Sequence, residues 1–160
     1  MHGSLLYIIA EKNFFILEAR TGRIIIRKQL LYNLDVTSTP LLSEKEIIFG
    51  TANKGLVALD NQTLEEKWNC PVEDVLIFTA PYTRSFSGTI ETSPVLAGNT
   101  VYVGASDGTV YAIDANTGNK LWKYQTGAPI FGTVAISGNA LIVTDFGGNV
   151  YAFRTMYHKE

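Results

Sequence analysis

The hydrophobic residues of this chain are grouped in short β-branched and aromatic runs that are separated by turn residues. Val101–Val103 and Val110–Ile113 are two such runs, and their near-continuous apolar character is typical of strands buried on both faces. Gly98-Asn99 and Gly138-Asn139 indicate tight hairpins, and Asp107-Gly108 marks a turn between the two runs. Helical periodicity is absent from the sequence pattern, so we predict an all-β protein.

The runs belong to an internal repeat with four copies. Taking Ile16, Ala58, Ala112 and Ala152 as equivalent positions gives spacings of 42, 54 and 40 residues. Periods near 40 residues with four short strands in each unit are typical of β-propeller blades. We therefore predict one partial β-propeller over residues 1–160, with about four four-stranded antiparallel repeats at residues 1–31, 36–72, 91–127 and 131–154.

The repeat carries a motif with fixed spacing. Its most complete copy consists of Ala112, Asp114, Thr117, Gly118, Trp122, Tyr124 and Gly127. The preceding copy keeps Ala58, Asp60, Thr63 and Trp68 at the same spacing. We expect the two aspartates to accept backbone N–H bonds at the turns that follow them, and the two alanines to be small because neighbouring sheets approach closely there.

This motif resembles the pyrroloquinoline-quinone-type (PQQ) repeat, the tryptophan-docking motif of quinoprotein β-propellers. The resemblance implies that Trp68 and Trp122 lie flat against an adjacent blade and hold the outer strand in place. It also implies a ring of seven or eight blades, so the first and last repeats are expected to be incomplete. We expect the ring to be completed by the remainder of a longer chain or by a second copy in a homodimer.

The sequence offers little catalytic chemistry. The single cysteine, Cys70, cannot form the adjacent cysteine pair of the quinone-dependent alcohol dehydrogenases, and it is expected to be structural. His2 and His158, which are the only histidines, sit at the two ends of the chain. Three acidic residues could be imagined as calcium ligands but lack ligand spacing: Glu73, Asp74 and Glu91. We expect no catalytic residue, no metal and no cofactor, with PQQ and Ca²⁺ as the alternative.

The composition narrows the choice of partner. The 160 residues are 46% hydrophobic and 18% charged, as in a folded globular domain. A net charge of −2 without a basic run gives no reason to expect nucleic acid or an anionic membrane as a partner. No apolar stretch is long enough to span a membrane, and no secretory signal is recognisable, which leaves the compartment open.

One connector is longer than the repeat requires. The spacing between Ala58 and Ala112 exceeds the next spacing by 14 residues, and the surplus falls in segment 73–90. We predict that this connector lies on one rim of the propeller and forms a binding site. Aromatic residues together with arginine are typical of contact hot spots, and the connector carries Phe78, Tyr82, Arg84 and Phe86. The alternative is an insertion that folds over the rim and buries its own aromatic side chains.

These observations favour a non-catalytic propeller that binds a protein, peptide or other ligand, or that acts as a scaffold. In this respect the chain resembles the propellers of outer-membrane assembly lipoproteins. Two alternatives follow from the same resemblance. The chain could be a fragment of a PQQ-dependent dehydrogenase, or an accessory domain of a larger adenylating protein of the aminoadipate-semialdehyde-dehydrogenase type.

Overall fold

The computed structural model describes residues 3–34, 36–76 and 87–155, and these fold into four antiparallel sheets that we call blades 1 to 4. Blade 1 contains β1 (Leu5–Ala10), β2 (Asn13–Glu18) and β3 (Ile24–Gln29). Blade 2 contains β4 (Leu41–Leu42), β5 (Glu46–Gly50), β6 (Leu56–Asp60) and β7 (Glu66–Cys70). Blade 3 contains β8 (Val95–Ala97), β9 (Thr100–Gly104), β10 (Thr109–Asp114) and β11 (Lys120–Gln125). Blade 4 contains β12 (Ala135–Ser137), β13 (Ala140–Thr144) and β14 (Val150–Arg154).

Each blade is a meander in which consecutive strands pair with one another. Blades 2 and 3 have four strands, whereas the described parts of blades 1 and 4 have three. The described residues contain no helix. The predictions of an all-β fold and of antiparallel propeller blades are therefore confirmed. The repeat boundaries that we drew from the sequence stay a prediction.

Successive blades pack face to face, and the period of two along each strand explains how. In blade 2, Ile47 and Phe49 point toward blade 1, while Ile48 points toward blade 3. All five residues of β5 are buried, as are the first four of β6. A strand buried on both faces needs apolar residues at odd and even positions alike, which accounts for the continuous runs in the sequence.

The innermost strands of the blades form only short ladders of backbone hydrogen bonds, and side chains supply part of the remaining contacts. In blade 3 the regular inner strand β8 begins only at Val95, although the inner segment of the blade already starts near Thr92. Thr92 takes over the role of a backbone group: its Oγ1 donates to the Gly104 carbonyl (2.7 Å) and accepts from the Gly104 amide (3.1 Å). The intervening Pro94 has no N–H to offer a neighbouring strand, which explains why regular pairing starts after it.

A chain of hydroxyl contacts links blades 2, 3 and 4 near their inner strands. The Thr39 amide donates to the Ser93 Oγ (3.0 Å), and the Ser93 amide donates to the Thr133 Oγ1 (3.2 Å). These three residues are spaced by 54 and 40, the spacings of the last three copies of the repeat. The same contact is thus made twice between consecutive blades.

Blade 2 departs from the repeat at one turn. Leu64 adopts a φ of +57°, whereas the equivalent Gly22 and Gly118 adopt +71° and +73°. Its side chain is buried in the core that blades 1 and 2 share. This packing retains a leucine in a backbone conformation that glycine adopts with less strain.

Candidate functional site: the connector rim

The connections between blades lie on one edge of the blade stack, which we call the connector rim. It comprises the β5–β6, β9–β10 and β13–β14 turns and the segments that join successive blades. The Ile90 amide donates to the carbonyl of Thr51 in the β5–β6 turn (3.1 Å). The Ile130 amide donates in the same way to the carbonyl of Ala105 in the β9–β10 turn (3.0 Å). These repeated contacts fix each connection against the turn of the blade that precedes it.

The long connector between blades 2 and 3 leaves and rejoins the rim at a short antiparallel stem. Asp74 and Ser87 form a β-bridge, and the Gly88 amide donates to the Glu73 carbonyl (2.9 Å). A Cβ at Gly88 would lie 2.4 Å from the Glu73 carbonyl oxygen, so the stem closes only around glycine. The candidate contact residues of this connector lie outside the described residues: Phe78, Tyr82, Arg84 and Phe86.

A buried polar network anchors the stem to blade 3. The Asp107 carboxylate, only 1% exposed, accepts from the amides of Glu73 (2.9 Å) and Thr109 (2.8 Å) and from the Tyr111 hydroxyl (2.5 Å). Burial, together with the Asp107 carboxylate, raises the pKa of Tyr111 far above its usual value, which keeps this hydroxyl a donor. The network therefore holds the first half of the stem, at Glu73, against blade 3.

An ion pair adds to this anchor at the surface. The Lys123 Nζ lies 3.1 Å from the Glu73 Oε1, and both side chains are more than half exposed. The hydrogen bond and the positive charge of Lys123 lower the pKa of Glu73. The pair positions the stem, but an exposed pair of this kind contributes little to stability.

A row of apolar side chains continues along the rim from the stem to blade 4. Leu76 is 45% exposed, and its side chain lies against Gly108. A Cβ built on Gly108 would be 2.7 Å from the Leu76 Cδ1. Phe146, in the β13–β14 turn, is 73% exposed and forms an edge-to-face contact with Phe131, with ring centroids 5.5 Å apart. The backbone of residues 128–129 connects the two ends, since the Ala128 carbonyl approaches Gly108 and the Pro129 carbonyl accepts from the Phe146 amide (2.7 Å).

We call Leu76, Phe131 and Phe146 the apolar row. Sequence reasoning missed it, because an isolated apolar residue in a turn reads equally well as a core residue. The available signal was position: Phe146 stands in a turn, within the sequence Asp145-Phe146-Gly147-Gly148, where no strand can bury it. The row is the exposed aromatic surface that the structure brings together with the connector.

A groove of about 700 Å³ lies on the opposite rim, between the β4–β5 and β8–β9 hairpins. Several polar groups there form hydrogen bonds within the hairpin ends. Glu46 accepts from the Ser43 Oγ (2.7 Å) and forms an ion pair with Lys67 (2.5 Å). The Asn61 Nδ2 donates to the Glu44 carbonyl (2.6 Å). These contacts stabilise the hairpin ends.

The tryptophans of the repeat motif occupy blade interfaces. The Trp68 Nε1 donates to the Ala115 carbonyl of blade 3 (3.0 Å), and its ring covers Gly118. Trp122 extends from blade 3 toward blade 4, where its ring meets Phe153 with centroids 5.1 Å apart. Burying an indole in this way stabilises a blade interface by a few kcal/mol.

The other motif residues shape the turns and the close packing. Asp60 accepts from the amides of Gln62 and Thr63 (both 2.9 Å). Asp114 accepts in the same pattern from the amides of Asn116 (3.0 Å) and Thr117 (2.9 Å) and from the Thr117 hydroxyl (2.9 Å).

The backbone N–H bonds to Asp60 hold the pKa of its carboxyl below the usual range. Ala58 and Ala112 are fully buried between blades, and Gly127 adopts a φ of +91° after β11. The surroundings of these motif residues are thus those of residues that shape turns and close packing.

The residues considered for catalysis or metal binding are not brought together. Cys70 is buried, and burial raises the pKa of its thiol, which disfavours the reactive thiolate. The Glu91 carboxylate accepts a hydrogen bond from the Thr37 amide (3.2 Å). Asp74 forms part of the stem. Over residues 3–34, 36–76 and 87–155, no three His, Cys, Asp or Glu side chains are grouped so that they could hold a metal ion. His2 and His158 lie outside the described residues.

The described residues include no helix that is long and apolar enough to cross a membrane.

Comparison with known proteins identifies the same propeller fold and assigns the chain to a family. Residues 1–76 and 79–156 match the sequence profile of the family described as outer membrane protein assembly factor BamB. The BamB of Burkholderia pseudomallei is 35% identical over 82 residues, which are 51% of this chain and 21% of that protein.

Two solved structures show the same architecture. BamB from Moraxella catarrhalis superimposes with a TM-score of 0.74 at 18% identity, over 98% of this chain and 47% of that one. A quinohemoprotein alcohol dehydrogenase from Pseudomonas putida superimposes with a TM-score of 0.68 at 17% identity, over 89% of this chain and 27% of that one. The chain thus spans less than half the length of each of these three proteins.

The profile match extends over nearly the whole sequence, and blades 2 and 3 carry the PQQ-type motif with its tryptophan. The chain belongs to the family of the outer membrane protein assembly factor BamB.

Proposed function

We propose that this chain is a non-catalytic β-propeller scaffold that holds a protein partner on its connector rim. The observation that carries the proposal is the apolar row, in which Phe146 is 73% exposed beside Phe131 and Leu76 extends the row to the stem. Exposed aromatic side chains on rigid turns lose little conformational entropy on binding, so they make effective contact residues. The family name, outer membrane protein assembly factor, supports a partner that is itself a protein of outer membrane assembly.

We also propose that the connector contributes to this contact. Its stem is anchored through Asp107, and the same connector carries both Leu76 of the apolar row and the residues Phe78, Tyr82, Arg84 and Phe86. In this proposal the connector needs no quinone and no metal. A partner segment with apolar side chains would bury Leu76 and Phe146 and leave polar groups at the edge of the contact.

The experiment uses the tagged chain, expressed in its own source cells and purified from the cell envelope after cross-linking. Phe146→Glu should lose the cross-linked partner at least tenfold relative to the unmodified chain. Leu121→Glu is the matched control, because Leu121 is 46% exposed on β11 and lies outside the apolar row. Both variants should unfold at the same temperature as the unmodified chain.

Equal recovery of the partner by the Phe146→Glu and Leu121→Glu variants would refute the role of the apolar row. The connector is tested separately by a variant in which Phe78, Tyr82, Arg84 and Phe86 are replaced by serine. A titration with PQQ and Ca²⁺, followed by quinone absorbance, serves as a second arm. Stoichiometric binding there would contradict the non-catalytic proposal and favour the dehydrogenase alternative.

A further inference from the structure

The groove on the rim opposite the connectors is lined almost entirely by two complete blades. Apart from Tyr7 of blade 1, its lining residues belong to blades 2 and 3, and each of these blades has four strands. Its walls therefore do not depend on the outer faces of blades 1 and 4. A volume of about 700 Å³ lies in the range of sites that bind small ligands.

The β4–β5 hairpin departs from the repeat along this groove. Glu44 and Lys45 stand where the hairpins of blades 3 and 4 have glycine followed by asparagine. The Ser43 Oγ accepts from the Glu46 amide (2.8 Å), which closes the hairpin without that glycine. The Glu44 carboxylate and the Lys45 ammonium form no ion pair or side-chain hydrogen bond with the described residues. The packing of the blades thus gives no reason for these two charged side chains.

Asn61 is a second departure from the repeat on the same groove. It occupies the position of Ala19 in blade 1 and of Ala115 in blade 3. The positions are equivalent, because the amides of Asn61 and Ala115 each donate to a carbonyl of the adjacent hairpin (3.0 and 2.9 Å). The Asn61 Nδ2 also donates to the Glu44 carbonyl (2.6 Å), which orients the carboxamide. Its Oδ1 and one N–H are left for a ligand.

Two more carboxamides stand on the blade 3 side of the groove. The Asn99 Nδ2 donates to the Asp114 Oδ2 (2.9 Å), which leaves the Asn99 Oδ1 as an acceptor. The Asn116 amide donates to the Asp114 Oδ1 (3.0 Å), and the Asn116 side chain forms no hydrogen bond with the described residues. Between them, the Ala115 carbonyl accepts from the Trp68 indole (3.0 Å). The docking tryptophan therefore fixes the backbone that carries this wall.

The chemistry of the groove matches a peptide chain better than an ion. A carboxamide offers an acceptor oxygen and N–H donors, so it can exchange a pair of hydrogen bonds with a peptide group. Leu42 and Leu96, both half-buried, add apolar surface between the carboxamides. Glu44 and Lys45 carry opposite charges, so the groove favours neither an anion nor a cation. In an extended segment alternate side chains point to one side, which lets apolar side chains face the two leucines while the backbone meets the carboxamides.

We propose that this groove binds an extended, uncharged peptide segment of a partner protein. Its peptide groups bond to the carboxamides of Asn61, Asn99 and Asn116, and its alternate apolar side chains rest on Leu42 and Leu96. The site lies on the rim opposite the apolar row. The scaffold therefore has two separate contact surfaces, and the groove does not rest on the role of the connector rim.

Fluorescence anisotropy on the full chain tests the proposal with a short, capped, labelled peptide of alternating serine and leucine residues. The unmodified chain should bind it saturably. Restoring the repeat with Glu44→Gly, Lys45→Asn and Asn61→Ala together should weaken binding by about tenfold or more. The melting temperature should stay unchanged, because another blade carries each new residue at the same position. Asn119→Ala is the matched control, since Asn119 is exposed in the β10–β11 turn outside the groove.

The chemistry of the ligand is tested on the peptide itself. Methylating the backbone nitrogens of its serine residues keeps every side chain and removes N–H donors, so the affinity should fall by about tenfold or more. Maltoheptaose, a neutral ligand rich in hydroxyl groups, should not displace the peptide. Phe146→Glu, on the connector rim, should leave peptide binding intact, which separates this proposal from the proposed function.

Four results would overturn the proposal. They are no binding by the unmodified chain, equal binding by the variant with the restored repeat, equal affinity for the methylated peptide, and displacement by maltoheptaose. The last two would show that the groove recognises side chains or hydroxyl groups instead of peptide groups.

Discussion

The contact between Trp68 and Gly118 can be measured against a control that the chain itself supplies. Gly118 and Gly22 occupy the same turn of the repeat, with φ values of +73° and +71°. Alanine at either position meets the same unfavourable backbone conformation, which costs about 1 kcal/mol after the lower entropy of the unfolded chain is counted. The two glycines differ in surroundings: a Cβ at Gly118 would lie 2.7 Å from the Trp68 ring, and a Cβ at Gly22 would meet nothing within 4 Å.

The indole therefore makes the difference between the two substitutions. In Gly118→Ala, Trp68 has to shift, which costs about 1–3 kcal/mol as overpacking and weakens its hydrogen bond to the Ala115 carbonyl. We expect Gly22→Ala to lower the free energy of unfolding by about 1 kcal/mol, and Gly118→Ala by about 2–4 kcal/mol. Urea denaturation followed by circular dichroism resolves such a gap.

A double-mutant cycle then assigns the gap to the indole. With Trp68→Ala already present, Gly118→Ala should cost no more than Gly22→Ala, since the clash is gone and only the backbone term is left. Equal losses for the two alanine variants in the presence of Trp68 would refute the reasoning, because they would show that the indole does not rest on the turn.

Substitutions at three further positions test single features of the structure. Tyr32→Phe should leave stability unchanged or raise it by up to about 1 kcal/mol in thermal unfolding, since this buried hydroxyl has no hydrogen-bond partner among the described residues; a clear loss would contradict this. Leu64→Gly should destabilise less than Leu64→Ala although it removes more atoms, because only glycine relieves the φ of +57°; the reverse order in a melting experiment would show that the turn is not strained. The pKa of Asp60 is lowered in the folded state, so its contribution to stability is present above its unfolded pKa and is lost as the pH falls through the folded value. The loss of stability below about pH 4 should therefore be shallower in Asp60→Asn, as measured by urea denaturation between pH 3 and 7.

The blades could be predicted from the sequence because the repeat marks positions that have the same structural role in each copy. Ala58 and Ala112 stand at equal points of two interfaces, and their spacing to Trp68 and Trp122 follows from a strand, a turn and a second strand. Contacts made only once leave no such signal. The bridge between Asp74 and Ser87 belongs to the inserted connector, which the other described connections between blades do not contain. The apolar row escaped prediction for the same reason, since its members come from a connector, a second connection and a turn.

The exposed apolar residues of this chain divide into two groups when the ring is considered as a whole. Ile8 and Val150 are exposed on blade faces, and a neighbouring blade would bury both, whether it comes from a second copy or from a longer chain. Leu76 and Phe146 lie instead on the connector rim, where Leu76 is 45% and Phe146 is 73% exposed. An exposed aromatic side chain is suited to a contact with another molecule, which is why we propose to look for the partner on the connector rim.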